Sequence, residues 1–128
     1  MLMSKQQAYG LPALQLAFIG DTVCDLLART ELMFSDLSVR DMHKSATSVV
    51  NARAQAGQLM KIRHLLEAEE MEIVQRARNS HPRHTMPHGA SREEYMAATG
   101  FEALMGYLYL TGQMLRAQML FQLSKIKE

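Results

Sequence analysis

The chain has 128 residues and a formal net charge of +1, which fits one domain large enough to bury its own core and gives no compositional sign of a nucleic-acid binder. A lone cysteine, Cys24, excludes a disulfide framework and favours a reducing compartment. Because no signal peptide or run of about 18 apolar residues is present, we expect a cytoplasmic, single-domain protein without membrane contact.

Helices dominate the predicted secondary structure, since β-branched residues are scattered and Pro and Gly are few. A first amphipathic helix runs from about Pro12 to about Met33. Gly20 lies on its apolar stripe, where the missing side chain allows another helix to approach closely. After a break at 34–37, Ser38 is the expected N-cap of a helix that continues to about Val50.

Two further helices follow in the middle of the chain. Asn51 is the expected cap of the first, and its apolar positions continue at helical spacing to Leu65 and Leu66. The second spans about Ala68 to Arg78, with acids near its start and arginines near its end. Both charge clusters complement the helix dipole. Since no strand pattern is found in the sequence, an all-α fold is predicted.

Residues 79–90 contain two prolines and a glycine and are predicted to form a loop. Ser91 and Glu94 then form a capping box for a helix that Gly112 terminates. A last amphipathic helix is expected from about Gln113 to about Lys127.

The segment 73–92 is a local cationic patch, because it contains basic residues and no acid. Its histidines have a spacing that suits zinc, but an arginine among them repels cations, so a solvated or RNA-facing loop is the alternative. The basic residues of the patch are Arg76, Arg78, Arg83 and Arg92, with His81, His84 and His88.

Two carboxylates, Asp21 and Glu102, lie inside strongly apolar helices, each close to a glycine, Gly20 or Gly106. This arrangement suggests two closely packed helices whose acids face one another and hold Mg²⁺, which takes one or two carboxylates and fills its octahedron with water and phosphate oxygens. Such a site suits phosphodiester hydrolysis. The alternative is structural: each acid pairs with an arginine or caps a backbone group.

The sequence allows more than one role for each of two residues that follow Asp21 in the same helix. Asp25 lies one turn further along the same face, where it either supports a metal site by contacting its ligands or is simply solvated. Cys24 has no basic neighbour to lower its pKa, so we expect a small core residue rather than a nucleophile.

Several segments together resemble the catalytic domain of the ribonuclease III family, and most closely its short bacterial branch, Mini-ribonuclease III. They are "LQLAFIGDTVCDLL", "MHKSATSVVNARAQA", "RARN" and "GFEALMGYLYLTG", and the resemblance covers nearly the whole chain. It implies an all-α homodimer that cuts double-stranded RNA with Mg²⁺ and leaves 5′-phosphate and 3′-hydroxyl ends.

By the same resemblance, Asp21 and Glu102 are the catalytic, metal-binding acids. Further acids of the wider family fall here on Leu14, Ala17 and Thr99, as in the Mini-ribonuclease III branch. The family's separate double-stranded RNA-binding domain is absent over residues 1–128, so the catalytic domain itself must grip the duplex. The candidate RNA-binding residues are Arg76, Arg78, Asn79, Arg83, His84 and Lys44.

The resemblance further implies that the substrate is precursor 23S ribosomal RNA, with a large-subunit ribosomal protein as a partner on that precursor. The missing acids keep a second function open, namely a catalytically inactive ribonuclease III-like dimer that binds RNA or assists ribosome assembly. A helical interaction domain without an RNA role is a third hypothesis, against which the cationic patch argues.

Overall fold

The computed structural model describes residues 2–80 and 90–126. All regular secondary structure in these residues is helical, as predicted. A short 3₁₀ turn, Arg63–Leu65, follows the fourth helix. The α-helices are α1 (Lys5–Tyr9), α2 (Ala13–Leu32), α3 (Val39–Val49), α4 (Ala52–Ile62), α5 (Ala68–Arg78), α6 (Arg92–Leu110) and α7 (Met114–Leu123).

Helix α6 is the centre of the fold, with α2, α4 and α5 packed around it. Between Ala97 and Leu108 every residue except Glu102 is buried. A helix that is apolar on all sides is stable only when other helices cover all of it, which explains this arrangement. Glu102 therefore lies on a part of α6 that the neighbouring helices do not fully cover.

The contact between α2 and α6 is unusually close, because a glycine of each helix faces the backbone of the other. A Cβ built on Gly20 would stand 2.5 Å from the carbonyl carbon of Glu102 and overlap its oxygen. A Cβ built on Gly106 would stand 3.0 Å from the carbonyl carbon of Leu16. Any side chain at either glycine would therefore push the helices apart, as the sequence predicts for Gly20.

The helix caps agree well with the sequence. Ser38, Asn51 and Ser91 each accept a hydrogen bond from the backbone N–H three residues on, as expected of N-caps. Gly112 has φ of 75°, the left-handed conformation that ends a helix and favours glycine. Local hydrogen bonds of this kind mark the starts of α3, α4 and α6.

Two helix ends were predicted wrongly, and one short helix was not predicted. The fourth helix does not continue to Leu65 and Leu66, because the chain tightens into a 3₁₀ turn and Leu66 is extended. The last helix ends at Leu123, where Ser124 is the C-cap, and not near Lys127. The short α1 was missed, although Ser4 and Gln7 form a reciprocal capping box that was visible in the sequence.

Long-range polar contacts fasten the outer helices to this core. Arg116 of α7 makes two hydrogen bonds to the carboxylate of Glu70 in α5, at 2.6 and 2.7 Å. Lys125 forms an ion pair with Glu31 and stacks on the ring of Phe121. In the part of the chain that the structure describes, no helix is long and apolar enough to cross a bilayer.

The glycine contact makes a direct prediction for stability. Gly20→Ala is expected to lower the free energy of unfolding by about 3 kcal/mol or more, because the new methyl group overlaps the backbone of α6. Urea unfolding followed by circular dichroism measures the change. Gly57→Ala is the matched control, since a Cβ there meets nothing within 4 Å and should stabilise α4 by about 0.5–1 kcal/mol. Equal effects of the two substitutions would contradict the packing argument.

Candidate active site

Asp21 and Glu102, distant in sequence, meet at the crossing of α2 and α6. Both line an open cleft of about 330 Å³, together with apolar and hydroxyl side chains. Asp21 is exposed to solvent and Glu102 is partly buried, so the two carboxylates stand at different depths. The cleft is lined by Leu14, Ala17, Phe18, Asp21, Thr22, Tyr95, Thr99 and Glu102.

The environment of Glu102 disfavours its charged form. Burial is the largest cause, followed by a hydrogen bond to Asp21 and the negative charge of Asp21, and together they raise the pKa of Glu102 to about 8. The side-chain amide of Gln55 acts in the opposite direction. Near neutral pH, the metal-free site therefore holds a proton that a bound cation would displace.

The pairing of the two acids with arginines, one form of the structural alternative, finds no support in the described residues. The ion pairs formed there involve Asp25, Glu31, Glu70 and Glu94, and neither Asp21 nor Glu102 is a partner in any of them. When both are ionised, two neighbouring carboxylates without a paired arginine repel one another, and a cation between them relieves that repulsion.

Two positions beside the acids carry no carboxylate. Ala17 presents a methyl group to the cleft, and the Thr99 hydroxyl donates to the backbone carbonyl of Tyr95 at 3.0 Å. In residues 2–80 and 90–126, no three His, Cys, Asp or Glu side chains form a group able to hold a metal ion. The protein oxygens for a cation would therefore be those of Asp21 and Glu102.

Comparison with known proteins assigns the family and the fold. The ribonuclease III domain family matches residues 14–113, which include the whole α2–α6 crossing. The chain belongs to the ribonuclease III family. It is an endoribonuclease.

The relatives include Mini-ribonuclease 3 proteins of similar length. That of Thermoanaerobacter sp. strain X514 is 42% identical over 96% of this chain and 87% of its own. That of Symbiobacterium thermophilum is 42% identical over 80% of this chain and 79% of its own. The crystal structure of a Fusobacterium nucleatum protein is 28% identical, with a TM-score of 0.80 over 88% of this chain and 90% of its own. The resemblance noted in the sequence is thereby confirmed.

Asp25 and Cys24 follow Asp21 in α2 but do not line the cleft. Asp25 pairs with Arg29 at 3.2 Å, one turn along α2, so its carboxylate is directed towards that guanidinium. Cys24 is fully buried, and burial together with the nearby acids raises the pKa of its thiol. A thiol held neutral in this way is a core residue, as predicted from the sequence.

The predicted RNA-binding residues are in different environments. The guanidinium of Arg76 lies 4.6 Å from the centre of the Tyr9 ring and donates to the Tyr9 carbonyl at 2.8 Å. Arg78 packs its aliphatic stem near Gly100, and Asn79 is the exposed C-cap of α5. Lys44 is exposed on α3. Arg83 and His84, like the other loop histidines, lie outside the described residues.

The sequence did not indicate two residues in or next to the candidate site. Phe18 is 81% exposed and lines the cleft, although its neighbours in the motif suggest a core position. Gln55 is buried beneath Glu102 although it is polar. Helical spacing indicated that Gln55 lies on the buried face of α4, because it precedes the buried Leu59 and Ile62 by four and seven residues.

The raised pKa of Glu102 predicts how stability depends on pH without metal. The folded chain binds a proton more tightly than the unfolded chain, so the free energy of unfolding should fall as pH rises from about 4.5 towards 8. We expect this fall to be about 2–4 kcal/mol larger in the wild type than in Glu102→Gln. Urea unfolding at pH 5 and pH 8 in EDTA measures it, and parallel curves for the two proteins would contradict the raised pKa.

Proposed function

We propose that this endoribonuclease hydrolyses double-stranded RNA at the α2–α6 cleft, with Asp21 and Glu102 as the residues that hold Mg²⁺ there. The observation that carries the proposal is the meeting of two carboxylates, unpaired with arginine among the described residues, on the wall of an open cleft. The position of the pair inside the matched ribonuclease III domain supports the same assignment.

The donor set suits Mg²⁺ rather than a softer metal. Mg²⁺ is commonly held by one or two carboxylates and keeps several waters, whereas zinc sites draw on Cys and His. The methyl group of Ala17 and the hydroxyl of Thr99 leave room for water beside the acids. When bound, Mg²⁺ supplies positive charge beside the phosphate oxygens and favours ionisation of the attacking water.

The residues of the chain then have separate tasks. Asp21, exposed in the cleft, would face the approaching phosphate, and Glu102 would have to be ionised to hold the cation beside it. In the hydrolysis a water oxygen bonds to phosphorus and the 3′ oxygen leaves with a proton. The products are a 5′-phosphate and a 3′-hydroxyl end.

Binding of the RNA backbone is assigned to the basic and polar residues that the sequence singled out. Arg78, Asn79 and Lys44 are accessible to the phosphates of a duplex, and Arg83 and His84 belong to the same proposal. Arg76 contributes differently, because its guanidinium is already held by Tyr9. Its task is to fix the end of α5, from which Arg78 and Asn79 project.

Precursor 23S ribosomal RNA is the natural substrate that we propose, with a large-subunit ribosomal protein assisting on the precursor. The support is the identity to Mini-ribonuclease 3 proteins over most of the chain. Cleavage mapping on the precursor, with and without bound ribosomal proteins, tests both parts.

We further propose a homodimer built on the exposed apolar side of α2. Leu14, Phe18 and Leu26 recur at intervals of four or eight residues and are 40%, 81% and 50% exposed. Such a stripe on a soluble helix is typical of a protein interface. Since Leu14 and Phe18 also line the cleft, a second copy seated there would border the RNA path.

Loss of either acid should abolish cleavage. In Asp21→Asn and Glu102→Gln we expect duplex cleavage with Mg²⁺ to fall by about a thousandfold or more, because removing one ligand costs on the order of 4 kcal/mol of transition-state stabilisation. Gel assays of a labelled duplex, with Mg²⁺ or EDTA, measure it. Asp36→Asn, in the exposed turn after α2, is the control. Wild-type rates in either site variant would refute the assignment, and a mobility shift without any wild-type cleavage would favour an RNA-binding module.

The dimer proposal has its own test. Phe18→Glu should convert the dimer into a monomer, because it places a charge in the apolar interface. Light scattering coupled to size exclusion gives the mass directly. Leu115→Glu is matched in exposure, at 83%, but lies on α7. A dimeric Phe18→Glu, or a Leu115→Glu that is equally monomeric, would show that the interface lies elsewhere.

A further inference from the structure

Gln55 of α4 is a buried polar side chain without an evident structural purpose. Only 4% of its surface is exposed, and α4 packs directly against α6. Its amide nitrogen, Nε2, has no hydrogen-bond partner among the described residues. An unpaired buried donor is costly, so its presence calls for a partner that comes into place when the site is loaded.

Glu102 is the acceptor within reach of that donor. The Gln55 amide lies beside the Glu102 carboxylate and the Cys24 thiol, on the inner side of the α2–α6 crossing. The carboxylate therefore stands between Asp21 in the cleft and Gln55 beneath it. A thiol is a weak hydrogen-bond acceptor, so an ionised Glu102 is the stronger partner for Nε2.

Gln58, one turn further along α4, shows what a structural glutamine looks like in this helix. It is 5% exposed, and its Nε2 donates to the backbone carbonyl of Val49 at 3.0 Å, which fastens α4 to the end of α3. Both glutamines are buried and both lie on α4. They differ because Nε2 of Gln58 has a hydrogen-bond partner and Nε2 of Gln55 has none among the described residues.

We propose that Gln55 is a positioning residue, which donates from Nε2 to the Glu102 carboxylate and so fixes the oxygen that Glu102 presents to the cation in the cleft. This inference rests on the proposed function, in which Glu102 is a metal ligand.

A neutral amide suits this task better than a charged group. An arginine or lysine at the same place would neutralise Glu102 and compete with the cation, whereas an amide orients the carboxylate and leaves its charge available. Orientation matters more here than in a site rich in acids, because Ala17 and Thr99 contribute no carboxylate. With few protein ligands, a wrongly turned Glu102 costs a large share of the metal's binding.

The experiment measures cation binding in the absence of RNA. Mn²⁺, which binds to carboxylate and water ligands as Mg²⁺ does, is titrated into metal-free protein and followed by the loss of the free-ion EPR signal. Four full-length proteins are compared: wild type, Gln55→Met, Gln58→Met and Glu102→Gln. Methionine keeps the approximate length of glutamine and removes the amide. The melting temperature of each protein is measured in EDTA.

We expect Gln55→Met to weaken Mn²⁺ binding by about 10–100-fold while its melting temperature stays at or above that of the wild type. Gln58→Met should show the reverse, a lower melting temperature with unchanged Mn²⁺ affinity, since it loses the bond to Val49. At saturating metal, Gln55→Met should recover cleavage more fully than Glu102→Gln.

Equal Mn²⁺ affinity in wild type and Gln55→Met would overturn the inference while leaving the proposed function intact, provided that Glu102→Gln binds more weakly. Equal affinity in wild type and Glu102→Gln would overturn the metal assignment of Glu102, and the positioning of that residue with it. A fall in affinity shared by Gln58→Met would show that the effect comes from the packing of α4.

Discussion

The close crossing of α2 and α6 is the constraint on which this structure depends. Gly20 lies against the backbone of Glu102, and Gly106 lies against that of Leu16, so backbone meets backbone where side chains usually intervene. This proximity brings Asp21 to Glu102 and leaves a cleft above them. It also determines which residues lie beneath the pair, since Cys24 and Gln55 fill the space on the inner side. One steric condition thus shapes both the core and the candidate site.

Glu102 is an ionisable side chain at a position where a protein core would favour an apolar one. Glu102 interrupts the buried part of α6, and its high pKa reflects the free energy stored in that position. A protein selected for stability alone would carry an apolar residue there. Retaining a carboxylate is the usual mark of a functional site, where unfavourable local chemistry is tolerated because binding a ligand relieves it.

Much of the fold could be predicted from the sequence because helix starts and ends depend on residues close together in the chain. Ser38, Asn51 and Ser91 cap their helices through bonds that span three residues, and Gly112 needs only its own backbone freedom. The pairing of Asp21 with Glu102 was predictable from the glycines beside them. The burial of Gln55 and the exposure of Phe18 were not, because both depend on which helices pack together and where the packing stops.

The contacts of Arg76 separate two roles of positive charge in this endoribonuclease. Its guanidinium is held between the ring and the carbonyl of Tyr9, and Arg29, Arg53 and Arg116 are likewise bound to partners within the chain. The charge of Arg76, held by neutral groups, still contributes to the long-range field that draws a polyanion towards the protein, whereas the other three charges are largely cancelled by the carboxylates with which they pair. These arginines exchange few counterions on contact, because their donors are occupied. Retention of a duplex therefore depends on cations outside such ion pairs, of which the exposed Lys44 is an example among the described residues.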